Sequence, residues 1–309
     1  MAQIAPATAP GAHAAPGARP GNLPAAAWRG LRRVAGIIPF AVYVALGLLI
    51  PTIAVAIKAF QNSQTGAFTL SNVKAASTGI YFEGFKTDIL LSIASAIVPG
   101  LIGFMVAYAI FTAPRGTILR QVSITASGVF ANFGGVPLAF LFIATLGSTG
   151  IVTGWLTDLG FNPYNHGFTL FTALGVFLVY MYFQIPLMVL IILPALEGLR
   201  PAWREAAENM GARSWQYWRF VGIPVLLPSF LGCLLLLFGS SFSAYATAEA
   251  MTNGTIPLTP IQIGTFLNGN VIAGQENIGN ALALGMVVII GIIMIAYTLL
   301  QRRAARWLR

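Results

Sequence analysis

Arg204-Glu205-Ala206-Ala207-Glu208-Asn209-Met210-Gly211, followed by Arg213-Ser214-Trp215 and closed by Val221-Gly222-Ile223-Pro224, is the stretch on which the reading of this chain turns. Pro201 suits the first turn of a helix, where its missing N–H costs nothing, and residues 202–210 are good helix formers. Gly211 supplies a left-handed stop. Ser214 then offers a cap for a second helix through Trp215, Tyr217 and Trp218, which Pro224 is expected to end. Two short helices joined by a glycine turn would project as a compact knob. The first would present Ala206, Ala207 and Met210 on a small apolar face, with Glu205 and Glu208 beside it. Such a face either seats in a partner's cleft or rests among lipid headgroups, anchored by its Trp and Arg residues. Local physics favours neither.

Outward from this loop the chain is a series of apolar runs. Hydrophobic residues make up 57% and charged residues 8%, against about 25% charged in soluble domains. Runs near twenty residues long are what a bilayer core of about 30 Å requires. Spans are expected at about 34–58, 89–111, 122–146, 169–194, 225–246 and 281–300, with the loop at 195–224 between the fourth and fifth. Charge then orients them. All fourteen arginines precede the first span, lie between spans two and three or four and five, or follow the sixth, whereas Lys58, Lys74 and Lys86 fall on the opposite side. Positive residues mark the cytoplasmic side, so the expectation is an all-α integral membrane protein of six spans with both termini inside. This scattering over short loops also accounts for the net charge of +9 without nucleic acid. Residues 1–27, rich in Ala, Pro and Gly, are read as a disordered cytoplasmic tail, and 28–309 as the spanning domain. The apolar run after Arg29, Arg32 and Arg33 is longer than a signal core, so it is read as a retained span.

Several spans carry residues that lipid alone would not favour. Asn132, Gly134, Gly135 and Pro137 fall in the third and Pro186 in the fourth, and the freed backbone groups need neighbouring helices or a wet cavity. Gly239, Ser240, Ser241, Ser243, Ala244 and Ala246 form a row of small residues in the fifth, suited to close packing or to a polar path. Catalytic chemistry is not legible. Cys233 is the only cysteine, and neither His13 nor His166 has a ligand set around it. None of the three lysines follows a glycine, so no G-x-x-x-x-G-K-[ST] phosphate loop exists. The spans also lack the ionisable relay of an ion-coupled secondary carrier, the rival class of transporter. A membrane enzyme or a structural subunit is a further rival, to be separated by partner association.

Glu205-Ala206-Ala207, then Gly211, then Val221, Ile223 and Pro224 at nine-residue spacing, resembles the signature loop of ABC-importer permeases, with Val and Ile as mild departures. The loop also precedes the last two spans, as in that family, and the similarity covers roughly 85–300. The resemblance implies the type I importer permease fold, with Glu205 to Gly211 as a coupling helix inserted into a separate ATPase. It further implies two ATP-binding subunits carrying ATP and Mg, a second permease subunit, an extracytoplasmic solute-binding protein, and a bacterial cytoplasmic membrane. The chain itself is then no enzyme and holds no cofactor. The layout, with Phe183-Gln184-Ile185-Pro186-Leu187-Met188 before the loop, looks most like the spermidine/putrescine permeases; sugar, ferric-ion and phosphonate permeases share the architecture.

A polyamine solute would need acids at the outer mouth, and Asp88, Glu249 and Glu276 stand at outer ends of spans. Ordinary solvated loop charge is the simpler account of them, since outer loops of many membrane proteins carry unpaired acids. Residues 59–88 are expected as an outer loop that meets the binding protein.

Overall fold

The computed structural model describes residues 38–114, 116–269 and 274–305. The tail at 1–27 and Arg29, Arg32, Arg33, Arg115, Arg306 and Arg309 of the charge pattern lie outside the described residues. The chain divides into two units, residues 1–53 and 54–309. In the first unit the helix α1 (Ile38–Ala59) opens and widens into a π turn over Ala45–Leu49 before crossing the division.

Among the described residues of the second unit the regular elements are helices, and only an isolated bridge between Gln61 and Phe68 has β character. After α2 (Ser71–Ala76) come α3 (Gly79–Thr112), α4 (Ile118–Asn132), α5 (Gly135–Leu146), α6 (Ile151–Asp158) and α7 (Ala173–Glu197). There follow α8 (Pro201–Asn209), α9 (Ser214–Phe242), α10 (Ala246–Thr252), α11 (Thr259–Leu267) and α12 (Glu276–Ala305). Six stretches are long and apolar enough to cross a membrane: Ile38–Ala59, Gly79–Thr112, Gly135–Asp158, Ala173–Glu197, Ser214–Phe242 and Glu276–Leu299. The fold is that of an all-α membrane protein with six candidate spans.

Three expectations are corrected. The span expected from residue 89 begins at Gly79, so part of the supposed outer loop 59–88 is helix, carrying Glu83 and Lys86 as a surface ion pair at 3.6 Å. The span expected at 122–146 is shifted to Gly135–Asp158, with the interruption anticipated at Asn132, Gly134 and Gly135 in place. α4 ends at Asn132, the chain turns at Phe133–Gly134, and α5 starts at Gly135 with φ +75°. The Gly135 N–H donates to Thr247 Oγ1 at 2.9 Å, and the Thr247 hydroxyl donates to the Gly135 carbonyl at 3.3 Å, so α10 pairs with the backbone of Gly135 at the break. Lastly, Pro224 does not end a helix: Ser214–Phe242 is continuous. A π turn over Trp218–Gly222 widens the helix just where the Pro224 ring would press on the preceding turn and where its missing N–H leaves a carbonyl unpaired. α7 likewise runs through Pro186 and Pro194.

The core lies where α3 packs along α7 and α9 closes against both. Ala96, Ala107, Met188, Ile192, Leu196, Leu237 and Phe242 form its centre. A second cluster joins Leu138, Val179, Tyr180 and Met251, tying α5 and α10 to α7. Gly103 sets the α3–α7 approach: a Cβ there would lie 2.6 Å from Met188 Cβ and 2.7 Å from the Ile185 carbonyl oxygen. Small residues at a membrane helix contact act in this way.

Candidate coupling site and interior polar seam

Pro201 stands at the first position of α8, as its missing N–H allows. The far end is closed by a paired pattern of hydrogen bonds. The Ala212 N–H donates to the Ala207 carbonyl and the Gly211 N–H to the Glu208 carbonyl, both at 2.9 Å, with Gly211 at φ +77°. This is a Schellman stop, which satisfies carbonyls that a helix end would otherwise orphan. Of the expected apolar face, Ala207 is buried against its own chain, whereas Glu205, Ala206 and Met210 face outward, Met210 with 80% of its surface free. Arg204 Nε meets Glu208 Oε1 at 2.9 Å, and this hydrogen bond, with the carboxylate charge behind it, pushes the Arg204 guanidinium above its ordinary value.

The start of α9 rests on α8. Arg213, not Ser214, is its N-cap residue, and the Arg213 N–H donates to Gln216 Oε1 at 2.7 Å. Val221 is half-buried, and Ile223 and Pro224 are exposed. The flagged residues therefore divide: Glu205 to Gly211 form a short helix and its glycine stop, Val221 lies in the π-widened return, and Ile223 and Pro224 follow it within the span.

The interior holds a feature the sequence reading did not single out. Asp88, Ser92 and Ser95 repeat at helical spacing on α3, Asp88 with 2% exposure and both serines fully buried. Each has an oxygen without a hydrogen-bond partner. On α7, Tyr180 donates its hydroxyl to the Ala244 carbonyl at 2.9 Å, and Gln184 Nε2 donates to the Leu237 carbonyl at 2.9 Å and to Ser241 Oγ. Gln184 Oε1 remains unpaired. Polar residues at i, i+4 and i+7 in an apolar run were the available signal for this seam.

The outer acids separate in character. Asp88 is buried; Glu249, on α10, is half-buried with Oε2 unpaired; Glu276, opening α12, is exposed and accepts from the Gly274 N–H at 3.1 Å. Of the small row in α9, Ser241 is buried and Ser243 is exposed, its hydroxyl turned back to the Gly239 carbonyl at 2.8 Å. Cys233 is buried in the core, and no group of three or more His, Cys, Asp or Glu among the described residues could hold a metal.

A family model described as the inner membrane component of binding-protein-dependent transport systems matches residues 91–309. The inner membrane ABC transporter permease protein YdcU of Escherichia coli (strain K12) is 26% identical over 249 residues, 77% of this chain and 76% of that one. The spermidine/putrescine transport system permease protein PotC homolog of Mycoplasma pneumoniae is 24% identical over 246 residues, 74% of this chain and 79% of its own. A bacterial alginate ABC transporter, crystallised with its alginate pentasaccharide-bound periplasmic protein, superposes with a TM-score of 0.70 over 92% of this chain and 98% of that one, at 19% identity. That likeness is one of fold.

Proposed function

Since the chain belongs to the family of inner membrane components of binding-protein-dependent transport systems, it is a multi-pass permease subunit of an ABC importer, and we propose that it admits a polyamine-like solute to the cytoplasm, driven by ATP hydrolysis on separate subunits. The observation that carries the coupling role is the α8 knob. Its stop is fixed by Gly211, and Glu205, Ala206 and Met210 point away from the chain that bears them. An apolar side chain as exposed as Met210, beside a carboxylate, suits a cleft with an apolar floor and a basic rim. In this reading two ATPase subunits bearing ATP and Mg receive α8 and its counterpart on a second, distinct permease. An extracytoplasmic binding protein delivers the solute, and both termini are cytoplasmic. ATP-driven closure then moves the spans as rigid bodies.

The polyamine assignment draws support from Asp88 Oδ2 and Glu249 Oε2. Both are carboxylate oxygens without a partner, which an ammonium group would satisfy. The test is purification of the tagged chain from its own membranes, followed by ATPase and uptake assays on the recovered complex in proteoliposomes. Co-purification of an ATPase and a second permease, with hydrolysis stimulated by binding protein loaded with spermidine or putrescine, is the expected result. A chain recovered alone would sink the coupling role. A complex stimulated only by sugar, ferric ion or phosphonate would sink the solute assignment and leave the coupling role standing.

A further inference from the structure

Between α3 and α9 lies a groove of about 480 Å³. Leu101, Phe104 and Tyr108 form one wall, and Trp218, Leu226 and Phe230 the other. Two edge-to-face pairs brace it, Phe104 with Phe230 and Tyr108 with Trp218, each at 5.5 Å between ring centres. From Leu101 to Tyr108 the helix rises about 10 Å, so the groove runs about two turns along α3. Both helices are candidate spans, and the medium around such a slot is hydrocarbon.

The two ends of the slot differ. At the loop end stand Tyr108 and Trp218, amphipathic rings of the kind that sit at headgroup level. Beyond them are the arginines of the loop. Arg219, one residue further along α9 than Trp218, is exposed, stands 5.8 Å over the Phe220 ring and has no ion pair among the described residues. Arg204 lies close enough to Tyr108 and Tyr217 to interact with them electrostatically. An apolar slot capped by interfacial rings and then by cations matches one amphiphile: a hydrocarbon chain ending in an anionic phosphate. A second copy of this chain is a poorer match. Of the acids near its own arginine-bearing loops, Glu197 is paired with Arg120 and Glu208 with Arg204, which leaves Glu205.

We propose that the α3–α9 groove holds an acyl chain of an anionic phospholipid, with its phosphate met by Arg219, so that bound lipid buttresses the junction between the α8 knob and α9. The proposal rests on the importer reading only for the side of the membrane that the loop faces. The groove and its charge stand on geometry.

The experiment places the purified complex in phosphatidylcholine nanodiscs and adds phosphatidylglycerol brominated midway along its chains, with brominated phosphatidylcholine as the control. Tryptophan fluorescence is compared between wild type and Trp218→Phe, and the difference reports Trp218 alone. Half-quenching of Trp218 is expected at an about fivefold lower mole fraction of the anionic lipid, the preference one basic residue gives. Arg219→Gln should erase that preference while leaving quenching itself. Equal midpoints for the two lipids in wild type would overturn the proposal. So would a Trp218 that neither lipid quenches, which would mean that protein covers the groove. Transport is not read in this assay, so its failure and that of the importer assignment are distinguishable.

Discussion

Replacing Gly211 by valine isolates what the α8 stop contributes. The residue sits at φ +77°, and a Cβ built on it meets nothing within 4 Å. The Cβ itself meets no neighbour, so the cost that every L-residue shares at this position is torsional. For an L-residue that cost is about 1–2 kcal/mol, at the upper end for a β-branched side chain. A penalty of that size reduces the population of the stopped helix by a factor of about 5 to 30. The hydrogen bonds from Ala212 and Gly211 to the last carbonyls of α8 go with it. Asparagine tolerates the left-handed region, so Gly211→Asn should stay near wild type, Gly211→Ala should fall between, and Gly211→Val should be worst. The assay is solute imported per ATP hydrolysed by the complex in proteoliposomes. Valine is expected to leave hydrolysis running while import per ATP drops. Wild-type coupling in Gly211→Val would refute the torsional role. Damage in Gly211→Asn equal to that in valine would also refute it, because it would place the requirement in contact with a partner rather than in the backbone.

Gly103→Ala forces a methyl against Met188 Cβ and the Ile185 carbonyl; overpacking of this kind costs about 1–3 kcal/mol, and thermal denaturation in detergent should show a lowered midpoint. Gln184→Ala empties a fully buried position and removes the bonds to Leu237 and Ser241. A loss of about 2–4 kcal/mol is expected, with Gln184→Met, which refills the volume, much milder in the same assay. Asp88→Asn relieves an unpaired buried carboxylate and should leave the denaturation midpoint unchanged or raised, while polyamine uptake falls; uptake equal to wild type would remove Asp88 from the solute path. Glu276→Gln changes an exposed group and should leave uptake of the same solute unaltered.

Much of the fold was legible because long apolar runs and a one-sided distribution of arginine rarely arise together outside a bilayer. The α8 stop was legible for a similar reason: a glycine directly after nine good helix formers has one common use. What escaped the sequence depended on compensation between elements. Pro224 reads as a terminator, but a π turn in the residues before it absorbs the missing N–H, and no local pattern announces that. Asp88 reads as the outer edge of a span because Glu83 and Lys86 precede it. Those side chains pair on the surface of a helix that had already begun at Gly79, and Asp88 lies about 13 Å along it, inside the bundle. Ala207 was grouped with Ala206 and Met210 by spacing, and only the packing of α8 on its own chain separates them. The Gly135–Thr247 pairing joins residues far apart in sequence, so the break after α4 was visible while the partner that satisfies it was not.

The continuity of α9 has a mechanical meaning. A helix of 29 residues from Ser214 to Phe242 is a rod about 43 Å long, unbroken between the return from the knob and the far end of the span. If a partner pushes on the loop, as proposed above, the regular part of this rod would carry the displacement as a lever. A tilt of about 10° at one end sweeps the other through roughly 7 Å by that length, about the diameter of a helix backbone with its nearest side-chain atoms. The shaft is most compliant in its loop-end half, where the widened turn over Trp218–Gly222 and the prolines Pro224 and Pro228 interrupt the regular ladder. In the proposed importer, give would be confined to the half nearest the knob, and the stretch beyond Pro228 would move as one piece toward the opposite face.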